Sequence, residues 1–107
     1  MKEIKAFIHR NRIGDIVHAL KAAHFRDISV IDVKGLLKAL DLQEQEYSTE
    51  IGARVITEVK LELVCEDALV DKAVAIIREN GRTGQKNAGW VYVSDIANAY
   101  KIGDPEA

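Results

Sequence analysis

The nine residues Gly81-Arg82-Thr83-Gly84-Gln85-Lys86-Asn87-Ala88-Gly89 hold three of the chain's seven glycines and two bases, and run straight into Trp90-Val91-Tyr92-Val93. Glycine lets a backbone take up φ > 0 and come close to a ligand. Successive free N–H groups in such a loop form a concavity for anions, which Arg82 and Lys86 would reinforce. One reading is therefore a phosphate cradle leading into a strand. The other is a glycine-rich helix exit, with Gly81 at C′, just past the last helical residue. The stretch is no Walker motif, and composition alone leaves both readings open.

Other chemistry-bearing residues are sparse. His9 falls on an expected strand, His18 in mid-helix and His24 at that helix's end, so no short metal-ligand spacing repeats. Surface or capping roles are expected of all three, and no metal site. Cys65 stands beside Glu66 and Asp67, an anionic setting that raises a thiol pKa, so a structural cysteine is expected. Tyr47, Ser48 and Thr49 carry modifiable hydroxyls, though exposed hydroxyls are ordinary loop chemistry. No nucleophile–base pair is visible, and an enzyme is not expected.

The elements that position these residues follow from periodicity. Ile4, Ala6 and Ile8 share one side of a strand over 2–9. Asn11 is expected to cap a helix in which Ile13, Ile16, Val17 and Leu20 line one face, fading near Ala23-His24. Ile28 to Val33 is a second strand. Residues 36–54 exceed an ordinary hairpin connection, and loops of that length are usually functional or disordered. In the third strand Val55, Thr57, Val59, Leu61 and Leu63 share one face; Glu58, Lys60 and Glu62 share the other. Asp67 is expected to cap a second helix carrying Leu69, Val70, Ala73, Val74, Ile76 and Ile77, ended by Gly81. A fourth strand, a helical turn from Asp95 to Tyr100 and a polar tail complete the chain.

That order, β-α-β-β-α-β, is the ferredoxin-like α+β unit: a four-stranded antiparallel sheet with both helices on one face. Val33, Val64 and Trp90 do not fit the helix-covered face. Apolar residues on both faces imply association through the sheet.

Bulk composition fits a single domain over 1–107. A net charge of −2 and the lack of a basic stripe argue against a nucleic-acid partner. No apolar run approaches the roughly 18 residues of a membrane span. The first residues lack a signal-peptide apolar core. A cytoplasmic location is the expectation.

The element order, the opening Met1-Lys2-Glu3-Ile4, Val33-Lys34-Gly35 before the long loop, Val59-Lys60-Leu61-Glu62-Leu63-Val64 after it, and Arg82-Thr83-Gly84…Gly89 together resemble the PII signal-transduction proteins, from Met1 to about Ile102. The resemblance implies a homotrimer with sheets inward and adenine nucleotides in the clefts between subunits. A long T-loop, here about 37–55, would report ligand state to a partner protein, often a transporter or an enzyme. It implies an adenine pocket at Ser29 and Val64, phosphate contacts from Gly35, Lys38, Thr83, Gly84 and Gly89 beside the basic Arg82, and Lys101 reaching in from the adjacent subunit. Glu44, Glu46, Tyr47, Ser48, Thr49 and Ile51 would present the loop to its partner, Ile51 standing where many members carry a modifiable tyrosine. The tail is about 101–107.

Departures from the family pattern are concentrated at the outer phosphate end. Leu37 replaces a glycine, Ala39 a glutamine and Glu58 a lysine; Gln85, Asn87, Ala88 and Trp90 replace Lys, Gly, Asp and Lys; Gly103 replaces an arginine. Each lost base removes a charge-assisted hydrogen bond, worth roughly 1.5–3 kcal/mol where desolvated. AMP or ADP is therefore expected over ATP. Trp90 is expected at a subunit interface, the other place for it being the vacated phosphate region. The alternatives are a trimeric scaffold that binds no nucleotide and a metal-tolerance protein of the CutA type, which shares the topology.

Overall fold

The computed structural model describes residues 1–32, 58–84 and 89–103. Strand β1 (Lys2–His9) buries Ile4, Ala6 and Ile8 and leaves the residues between them partly open, the alternation its sequence encodes. Strand β3 (Glu58–Cys65) buries Val59, Leu61, Leu63 and Cys65 in the same way. With β2 (Ser29–Ile31) and β4 (Gly89–Asp95) they form one antiparallel sheet in the order β2-β3-β1-β4. Helix α1 (Ile13–Ala22) adds Ile16 and Leu20 to the core, and α2 (Val70–Gly81) adds Ala73 and Ile77. Phe25 closes the end beneath α1. This is the ferredoxin-like architecture, with both helices on one face of the sheet.

The register assigns the other face. Phe7 pairs with Lys60 and Trp90, Lys5 with Glu62 and Tyr92, Glu3 with Val64 and Ser94, and Ser29 with Glu62. These residues line the face away from the helices, so Val64 and Trp90 lie on the face opposite the core. There Phe7 meets Tyr92 edge-on at 6.1 Å between ring centroids, and Trp90 stacks on Tyr92 at 6.3 Å. Trp90 remains 66 % exposed.

Several local expectations are corrected. Asn11 caps nothing: it belongs to a 3-10 turn over Arg10–Arg12, where the His9 Nδ1 accepts the Asn11 N–H at 3.2 Å. Asp67 likewise opens a 3-10 turn, Asp67–Leu69, and its carboxylate accepts from the Met1 amino group at 2.6 Å instead of from the α2 backbone. Gly81 is the last residue of α2 and not a left-handed C′ residue; a Cβ there would stand 3.3 Å from Ile16 Cδ1, so its smallness serves helix packing. Asp95 ends β4, and residues 96–102 form no helical turn. The second strand is shorter than expected, ending at Ile31 before Asp32, which takes a forked ion pair from Arg10.

Candidate functional site

The glycine turn follows α2. Gly84 has φ +83° and Gly89 φ +134°, conformations that L side chains rarely adopt. At Gly89 the strand comes so close to β1 that a Cβ would stand 2.1 Å from the Phe7 carbonyl oxygen. The segment therefore leaves a helix, as the second reading has it, though without Gly81 at C′, and the shape of the backbone requires glycine at 84 and 89. Thr83 is half-buried and Arg82 exposed. Asn80 secures the helix exit, its Nδ2 donating to the Ile76 carbonyl at 2.9 Å.

Ser29 and Val64 lie elsewhere. They are exposed on the open face, Ser29 on edge strand β2 and Val64 on the interior strand β3, on the side of the sheet away from β4. Three strand spacings, about 14 Å, separate β2 from β4. Lys101 follows the far end of β4, past Asp95, which pairs in register with Lys2 at the start of β1. One chain therefore does not bring the expected adenine end, the glycine turn and Lys101 together. Gly35, Lys38, Glu44, Glu46, Tyr47, Ser48, Thr49 and Ile51 lie outside the described residues, as do Leu37 and Ala39. Glu58 stands on the open face opposite His9.

A cleft of about 410 Å³ is lined by His9, Asn11, Arg12, Arg82 and Thr83. His9 has the capping role expected of it, through Nδ1, and also lines the cleft, whereas nothing in the sequence singles out Arg12. The trace of the cleft in the sequence is the basic run His9-Arg10-Asn11-Arg12 at a strand end. Burial, then the neighbouring Glu66, pushes the Cys65 thiol pKa up, which makes it a poor nucleophile. The hydrogen bond from the amino terminus holds the Asp67 carboxyl below its ordinary value, and Asp67 raises the amine's in return. Among the described residues no three His, Cys, Asp or Glu side chains converge on a possible metal position. No helix among them is long and apolar enough to cross a membrane.

Fold and turn define a class: a ferredoxin-like α+β domain with a long segment between its second and third strands and a glycine turn before the fourth. The chain belongs to the nitrogen regulatory protein P-II family, whose model matches residues 1–106. It is 31 % identical over 102 residues to the nitrogen regulatory protein P-II of Rhodospirillum rubrum, covering 95 % of this chain and 91 % of that one. The P-II protein of Rhodobacter capsulatus is also 31 % identical over the same shares. Nitrogen regulatory protein P-II 1 of Methanothermobacter thermautotrophicus is 28 % identical, over 95 % of this chain and 89 % of its own length. This is a family of regulatory proteins, and its match over nearly the whole chain sets the CutA-type alternative aside.

Proposed function

We propose that this protein senses an adenine nucleotide in clefts between the subunits of a homotrimer and signals to a partner protein through the loop at about 37–55. The observation that carries the reading is the division of the candidate residues. Ser29 lies on edge strand β2 and Val64 on β3 beside it, while residues 82–84 precede the opposite edge strand β4, and this separation supports a site completed by a neighbouring copy. The open sheet face, with Phe7, Trp90 and Tyr92 side by side, gives such copies an apolar surface to share.

Nucleotide choice follows from the outer phosphate end. Trp90 and Gly103 bring no charge there, and Glu58 brings a carboxylate. A charge set against an unwanted partner is an effective source of selectivity. AMP or ADP therefore binds more tightly than ATP, and 2-oxoglutarate, a dicarboxylate facing Glu58, does not bind. The partner is a regulated transporter or enzyme reached by the loop. Calorimetric titration with AMP, ADP and ATP, then with 2-oxoglutarate in the presence of Mg-ATP, tests the reading. Tighter binding of ATP would refute the selectivity, and a heat of binding with 2-oxoglutarate would refute the role given to Glu58. Silence with all three nucleotides would leave a scaffold.

A further inference from the structure

The cleft of about 410 Å³ between the end of β1 and the exit of α2 is built from a single chain, by His9, Asn11, Arg12, Arg82 and Thr83. We propose that it binds a small phosphomonoester, the phosphate held by Arg12, Arg82 and the Thr83 hydroxyl, with the His9 ring as a further donor. This site shares Arg82 and Thr83 with the nucleotide reading but adds His9, Asn11 and Arg12, which take no part in that reading, and no neighbouring copy is needed.

The chemistry of the lining is that of hydrogen-bond donors. Arg12 is fixed in place, its Nε donating to the Asn80 carbonyl at 2.9 Å and an η nitrogen meeting Asp15 at 3.3 Å. It is thus pinned between the start of α1 and the end of α2, and its remaining N–H groups are offered with little further loss of side-chain freedom. Arg10, the next base in sequence, is committed elsewhere, donating to both Asp32 carboxylate oxygens at 2.8 and 2.9 Å. The His9 Nδ1 accepts the Asn11 N–H, so the neutral ring carries its proton on Nε2 and can donate from there. Asp15 balances part of the Arg12 charge; Arg82 is exposed and adds a second guanidinium. Two forked cations with a hydroxyl suit the oxygens of a phosphate. The volume matches a small-molecule pocket and exceeds what a bare phosphate ion fills, so the phosphate is expected to carry an organic group of sugar size.

The test is a titration of the full chain, in chloride buffer free of nucleotide, with ribose 5-phosphate and with ribose, followed by amide chemical shifts and by calorimetry. Ribose 5-phosphate is expected to bind, with shifts centred on residues 9–12 and 82–84, and ribose to leave the spectrum unchanged. Arg82→Gln should weaken binding about tenfold or more, the loss of one charged hydrogen bond. His9→Gln should weaken it less. Neither change removes a recorded tie between the helices, whereas Arg12→Gln breaks the bond to Asn80 and is a supporting variant only. The proposal is overturned if ribose 5-phosphate produces no shift at millimolar concentration, or binds both variants as well as the parent. AMP is expected to compete through the shared Arg82 and Thr83, whereas ribose 5-phosphate shifts that spare residues 9–12 would also overturn the proposal, by leaving the glycine turn alone as the phosphate site. Failure of the nucleotide reading leaves this titration untouched, since no nucleotide is present in its main arm.

Discussion

At Gly89 the backbone takes φ +134° within van der Waals reach of the Phe7 carbonyl, so two costs meet in any substitution there. A side chain must adopt a rare conformation, at about 1–3 kcal/mol, and β4 must shift away from β1. Gly89→Ala is expected to lower the urea midpoint by the equivalent of at least that much. Gly14 offers the contrast: it lies in α1 with nothing within 4 Å of a Cβ, and Gly14→Ala should stabilise by roughly 0.5–1 kcal/mol. Asp67 gives the pH dependence at this scale. Its carboxyl pKa is depressed in the folded chain by the hydrogen bond from the amino terminus, so the contribution is present above the unfolded value, near 3.9, and is lost as pH falls through the folded one. Both groups are exposed and the effect is small. Asp67→Asn should lower the neutral plateau of a urea-midpoint profile slightly and converge with the parent in acid, which flattens the acid limb.

Elements were legible wherever a buried face repeats. Ile4, Ala6 and Ile8, and Val59, Leu61 and Leu63, alternate because every second residue enters the core, and that alternation fixes strand, face and register together. Leu61 is fully buried at the centre of this array, and Leu61→Ala is expected to cost 2–5 kcal/mol by urea unfolding, within the range for a core cavity. The ends of elements were less legible. Asn11 and Asp67 have capping side chains, yet short 3-10 turns take up the first residues, and His9 and the amino terminus become the partners instead. Gly81 suits two roles that local sequence does not separate, and the approach of Ile16 from another helix decides between them. The candidate site was legible only in part. The positive-φ glycines could be expected from their spacing, but the cleft joins residues 9–12 to 82–83, a contact that neither segment encodes alone.

At the scale of the whole molecule, one chain leaves two kinds of surface exposed: the aromatic strip of the open sheet face and the separated halves of the proposed nucleotide site. Association of copies would account for both, and light scattering at micromolar concentration is expected to give about three times the chain mass of 11.9 kDa. The division of the site can be tested by complementation. Ser29→Phe obstructs the adenine end on an exposed strand position, and Thr83→Glu sets an anion against the phosphate end. Each variant alone should bind no AMP. When the two are unfolded together and reassembled, about a quarter of the interfaces should pair the intact half of one variant with the intact half of the other. Calorimetry with AMP on that mixture is the most direct measurement. The account predicts that binding returns at close to that fraction of sites with the parent affinity; a mixture as silent as its components, or a single variant that still binds, would contradict a site shared between subunits.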